Sequence, residues 1–148
     1  MTATVDPSAL RDARQRAGLT QSQLARALGL AGGEAVSVWE RGVFEPKTAA
    51  LLHLLAEALG VGVPELLQRD GDKLDLRYLR LVAGMESSEV ALRLHVALST
   101  YLRWERGAWT RRPSDAVVAN LAQLFRVSPA VVEGAFVHAK ALGSLDKT

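Results

Sequence analysis

The chain has 148 residues, 49% of them hydrophobic but only 5% aromatic, with 18 basic against 16 acidic side chains and no cysteine. That length accommodates one mid-sized domain or two small ones, and the missing cysteines exclude disulfides and thiolate metal sites. A formal charge of +2 does not by itself argue for a nucleic-acid partner, because a mild positive excess is also an ordinary solvated surface.

No window approaches the roughly 20 continuous apolar residues of a membrane span, and residues 1–7 lack a basic stretch followed by an apolar run. A cytoplasmic protein without a membrane partner is expected. Isoleucine is absent while Leu, Ala and Val abound, and strand-like alternation is scarce, which predicts an all-α fold. In chain order, residues 1–6 read as a frayed tail, and Asp6-Pro7 or Pro7-Ser8 opens a first helix through the fixed φ of proline. That helix runs to about Ala17, where Gly18 ends it. Thr20 is the N-cap of a second helix reaching about Leu28, with Leu24, Ala25 and Leu28 inward. The run Gly29-Leu30-Ala31-Gly32-Gly33 interrupts, and a short third helix covers about 34–41, closed by Gly42. Val43-Phe44-Glu45-Pro46 leads into an apolar helix over about 47–59 that Gly60 ends, and Pro64 opens a short fifth helix. Residues 69–75 are polar and turn-rich and read as a linker. Asp70, Asp72 and Asp75 within it lack the ligand pattern and closing Glu of a calcium loop.

Beyond the linker the order repeats. Trp39-Glu40-Arg41-Gly42 returns as Trp104-Glu105-Arg106-Gly107, and Leu10, Arg14, Gly18, Ala25 and Leu28 return as Leu76, Arg80, Gly84, Ala91 and Leu94. Length differences fall in the connections, as in a genuine repeat. The predicted organisation is two domains, 7–68 and 76–142. The second carries the positive bias, with eight Lys/Arg to five Asp/Glu over 76–137 against six to six over 10–67. Ser128 and Pro129 start the last helix, on which Val132, Ala135, Phe136, Ala139 and Leu142 recur at helical spacing. Such a stripe reads either as internal packing or as an interface.

The string from Leu10 and Arg11 through Arg14, Ala17-Gly18-Leu19-Thr20-Gln21, Leu24-Ala25 and Leu28-Gly29-Leu30, then Trp39-Glu40-Arg41-Gly42, then Ala58-Leu59-Gly60-Val61, resembles the Cro/Xre family of phage-repressor-type helix-turn-helix DNA-binding domains. The match spans nearly all of 10–67, and 76–136 resembles it more loosely in the second helix. The resemblance implies two tandem five-helix lambda-repressor-like domains, in each of which the second helix crosses the DNA backbone and the third enters the major groove. It also implies internal ion pairs between first and third helices, Arg14 with Glu40 and Arg80 with Glu105, and core roles for Trp39 and Trp104. Because the last helix is a usual dimer contact in that family, a homodimer through Val132, Ala135, Phe136, Ala139 and Leu142 is expected.

Applied residue by residue, the resemblance divides the DNA-facing groups unevenly. The first copy keeps Thr20 and Gln21 for the phosphate backbone, but its third helix offers only Ser37, with Glu34 set against phosphates and Val38 before the tryptophan. The second copy opens its second helix with Glu86-Ser87-Ser88-Glu89, yet presents Leu98, Ser99, Thr100 and Arg103 at reading positions, Arg103 for a guanine and Leu98 for a thymine methyl. Arg106, and Arg41 in the first copy, read as phosphate contacts or as solvated helix-end arginines. The longer loop adds Arg111 and Arg112 and an exposed indole, Trp109. Either both copies dock on DNA, or the first has become a scaffold or partner-binding module.

His53, His95 and His138 lie apart without ligand spacing, and no phosphate loop, nucleophile elbow or acid pair stands out, so neither a metal, a cofactor nor an enzyme is expected. The expected activity is sequence-specific binding of double-stranded DNA by a transcription regulator acting as a repressor. The rival is a protein-interaction module, such as an antitoxin or adaptor.

Overall fold

The computed structural model describes residues 4–68 and 74–146, the last five as backbone only. Most of the expected linker, Asp70 and Asp72 included, and the side chain of Leu142 lie outside the described residues. The chain divides into two compact units, Thr4–Gln68 and a second built from Arg69–Thr148.

The first unit contains α1 (Pro7–Arg16), α2 (Gln21–Ala27), α3 (Glu34–Glu40), α4 (Ala49–Leu59) and a 3₁₀ turn at Val63–Leu66. The second contains α5 (Leu76–Ala83), α6 (Ser87–Leu94), α7 (Leu98–Arg106), α8 (Asp115–Phe125) and α9 (Pro129–Asp146). The fold is all-α; among the described residues the only extended pairing is an isolated bridge between Val5 and Leu67.

Several helices start at side-chain oxygens that satisfy otherwise unpaired amides, although α3, α6 and α7 have no such cap. Asp6 accepts from the amides of Ser8 and Ala9, with Pro7 at the first helical position. Thr20 and Gln23 form a reciprocal capping box, the Thr20 hydroxyl accepting from the Gln23 amide at 3.0 Å and the Gln23 side chain accepting from the Thr20 amide at 2.9 Å. Thr48, Asp75 and Ser114 cap α4, α5 and α8 without the reciprocal bond, their side-chain oxygens accepting from the amides of Leu51, Tyr78 and Val117.

Among the described residues, the ten largest fully buried side chains are five equivalent pairs: Leu10 and Leu76, Leu24 and Val90, Val36 and Tyr101, Leu55 and Leu121, Leu66 and Val132. Every spacing is that of the repeat. Each such burial contributes roughly 1.5–3 kcal/mol, so the two units are held by the same positions of one pattern. The pair that changes most in size is Val36 and Tyr101.

Two expectations need correction. Residues 4–6 do not fray: the Asp6 amide donates to the Leu66 carbonyl at 2.8 Å, the Gln68 amide donates to the Thr4 carbonyl at 2.7 Å, and the Val5 amide donates to Glu45 Oε1 at 2.6 Å. The segment is fixed by remote backbone, which no local propensity signals. The short fifth helix expected in the first unit is present as one 3₁₀ turn, while its counterpart α9 has 18 residues. Finally, Val132, Ala135, Phe136 and Ala139 are buried inside their own unit, where α9 packs on α7 and α8. Those four are core and offer no face to a second chain, because the longer helix needs an apolar side toward its own bundle.

Candidate nucleic-acid interface

An arginine fork fixes the third helix of each unit. In the first, Arg14 Nε donates to Glu40 Oε2 at 2.6 Å, Nη2 to Oε1 at 3.0 Å and Nη1 to the Leu19 carbonyl at 2.8 Å. In the second, Arg80 repeats this toward Glu105 at 2.6 and 3.3 Å and toward the Met85 carbonyl at 3.0 Å. One planar guanidinium thereby ties together the first helix, the third helix and the turn entering the second. Burial disfavours the Glu40 charge, but the hydrogen bonds from Arg14 and Gln21 and the Arg14 charge outweigh it and hold the carboxyl below its ordinary range. Burial likewise works against the Arg80 charge, and Glu105 more than compensates, raising its pKa. Trp39 and Trp104 are buried beside these pairs.

Tyr101 lies fully buried one turn before Trp104, their rings meeting edge-on with centroids 6.2 Å apart. Its hydroxyl makes no hydrogen bond of normal geometry, although Glu105 and Arg80 are its charged neighbours. Burial first and the Glu105 charge second push its pKa up, so the phenol stays protonated.

On the outer side of α7, Leu98 (42% exposed), Ser99, Arg103 and Arg106 face solvent, with Thr100 half-buried. A cleft of about 180 Å³ separates α7 from the following loop, lined by Thr100, Arg103, Trp104, Ala108, Trp109, Thr110 and Arg111. The structure thus brings Thr100, Arg103 and Arg111 together on one surface. Among the described residues, no ion pair engages Arg103, Arg106 or Arg111. Arg112, next in sequence, is held by Glu133 of α9 at 2.7 Å and stands 4.0 Å from Asp115.

Trp109 is not the exposed indole expected from the sequence. Its ring meets Phe136 of α9 edge-on, centroids 6.2 Å apart, and Lys140 Nζ stands 4.9 Å from its centroid while donating to the Trp109 carbonyl. The indole is drawn inward because α9 runs long enough to supply an aromatic edge and a cation.

The first unit places its candidates differently. Thr20 is occupied as the N-cap of α2. The Gln21 amide points inward, donating to Glu40 Oε1 at 3.4 Å. Arg41 turns back along its helix, with Nε donating to the Ser37 carbonyl at 3.3 Å and Nη2 lying 3.8 Å from Glu34. Ser37 and Val38 are half-buried, while the Glu34 side chain is 87% exposed. Gly33, at the start of α3, lies so near α2 that an added Cβ would stand 3.1 Å from the Ser22 amide nitrogen.

Sequence reasoning missed Gly107, Glu133 and Lys140. The signal for the last two was their spacing with Phe136, which puts all three on one side of a helix; nothing local said that this side would meet the loop. Among the described residues, no helix is long and apolar enough to cross a membrane, and no group of three or more His, Cys, Asp or Glu side chains could hold a metal ion.

Two short helices joined by a tight turn, braced by a buried arginine–carboxylate fork and built twice on one core pattern, define a tandem helix-turn-helix protein of the DNA-binding class. The helix-turn-helix family model matches residues 10–66 and again 76–132, and the chain belongs to the Cro/Xre-type helix-turn-helix family, whose members are DNA-binding regulators and not enzymes. No curated protein and no solved structure gives a significant match.

Proposed function

We propose that the protein is a sequence-specific transcription regulator, acting as a repressor on double-stranded DNA, in which α7 lies in the major groove and supplies most of the specificity. The observation that carries this reading is the outer face of α7. Leu98, Ser99 and Arg103 stand free there, and Arg111 lies across the adjoining cleft. An α-helix fits the major groove, where a guanidinium can pair with both acceptors of guanine. Arg106 and Arg111 serve the phosphates, which set affinity and register. The protein would thus work in the cytoplasm, where the bacterial or phage genome is.

Selection of bound duplexes from a random library tests the reading. Enrichment of one motif is the expected result; retention of all sequences alike, even at low salt, would exclude it.

A second reading is confined to the first unit and is supported by its surface. Its Gln21 and Arg41 already have internal partners, and Val43 and Phe44 are 55% and 71% exposed in the loop after α3. On this reading the first unit meets a protein partner and the second alone reads DNA. Footprinting separates the two: joint docking protects two adjacent recognition segments, single docking only one.

A further inference from the structure

We infer that α9 is a brace for the DNA-facing loop 108–112, and that Lys140 is a positioning residue that fixes Arg111 through Trp109; this rests on the proposed reading of the second unit. Contacts from one side of α9 hold the loop along its length. At its root, Gly107 packs so closely that a Cβ there would stand 1.9 Å from the Ala139 carbonyl oxygen. In its middle, Trp109 is pinned by the Phe136 edge, by the cation of Lys140 over its ring and by the Lys140 hydrogen bond to its carbonyl. At its far end, Glu133 holds Arg112 at 2.7 Å. Residues 133, 136 and 140 follow helical spacing, so one rigid face sets the loop.

The consequence falls on Arg111. It lies between two anchored residues, lines the cleft with Thr100 and Arg103, and among the described residues is the loop cation left without a carboxylate. Arg112 is spent on the brace. A loop fixed before binding loses less conformational freedom when it meets phosphate. The first unit shows the alternative: its 3₁₀ turn provides no such helix, and Val43 and Phe44 stay exposed.

The test uses the full chain and two readouts. Amide hydrogen exchange on free Lys140→Met should speed up at 108–112 by about tenfold while α5–α8 keep their protection, and Lys140→Arg, which restores a donor and a cation, should return it toward wild type. Unchanged exchange in Lys140→Met overturns the brace whether or not the protein binds DNA. A double-mutant cycle on selected DNA then asks whether Lys140 acts through Arg111. Lys140→Met and Arg111→Ala should each weaken binding by about tenfold without altering the preferred sequence, and the double variant should be little worse than either. Fully additive losses overturn the positioning role. Wild type that fails to bind any duplex sinks the DNA reading and the positioning role with it, while exchange still decides the brace.

Discussion

At the scale of single residues, α7 separates side chains that face solvent from side chains that hold the helix to its core. Arg103 projects from the helix two residues after Tyr101, which is sealed in the core. Arg103→Ala is expected to cost roughly 1–3 kcal/mol of specific binding and to relax one base position. Competition with every single-base variant of the selected site checks this, and a uniform loss across them would make Arg103 a phosphate contact instead. Tyr101 supplies a pH prediction. Its pKa is raised in the folded state by burial and by the Glu105 charge, so its contribution is fully present below the ordinary phenol value of about 10 and is lost as the pH rises beyond it. Wild type should lose stability above about pH 10 more steeply than Tyr101→Phe, measured by urea unfolding across that range. Coincident profiles would show that the phenol ionises as readily in the folded chain as in the unfolded one. At neutral pH the same substitution removes a hydroxyl without a partner and should change stability by less than about 1 kcal/mol.

At the scale of elements, one motif does two jobs because different neighbours cover it. Gly42 and Gly107 both follow the third helix with φ near +73° and +72°, a conformation that disfavours side chains by roughly 1–2 kcal/mol. An added Cβ on Gly42 meets only Pro7 Cγ at 3.2 Å, whereas on Gly107 it enters the α9 backbone. Gly42→Ala should therefore cost about 1–2 kcal/mol and Gly107→Ala about 4 kcal/mol or more, read from denaturant midpoints. Similar costs would mean that α9 does not press on that glycine. The elements themselves were largely legible in the sequence, because helix openers such as Pro7, Thr20 and Ser128 and terminators such as Gly60 act on their own turn. The seat of α9 on Gly107 was not, because a repeated Trp-Glu-Arg-Gly looks identical whether or not a helix crosses it.

At the scale of the whole molecule, the duplication has conserved a core and divided its surface. The five equivalent buried pairs and the two arginine forks keep both units in the same architecture, while Arg103, Arg106 and Arg111, which no ion pair engages among the described residues, belong to the second. The net charge of the chain is small, so the affinity for DNA depends on which arginines remain unpaired. Arg111 and Arg112 test this as neighbours. Arg111→Ala should lower the slope of log affinity against log salt by about one, whereas Arg112→Ala, whose partner Glu133 is already in place, should leave the slope nearly unchanged. Binding titrations over a salt series decide it; equal changes in slope would mean that Glu133 releases Arg112 to phosphate.

The sequence by itself determined the all-α class, the twofold repeat, the positions of the helices, and the arginine and glutamate that could be named as a pair across the first and third helices. Each of these depends on a local signal or on a pattern compared with its own copy. Only the tertiary structure decided that Thr4, Val5 and Asp6 are tied to the end of the first unit, that Gln21 turns toward Glu40, that Trp109 packs inward, and that Val132, Ala135, Phe136 and Ala139 are core. These outcomes depend on which remote surfaces meet. An apolar stripe reads the same in sequence whether its own bundle or another molecule covers it, and here the 18 residues of α9 let the bundle cover it first.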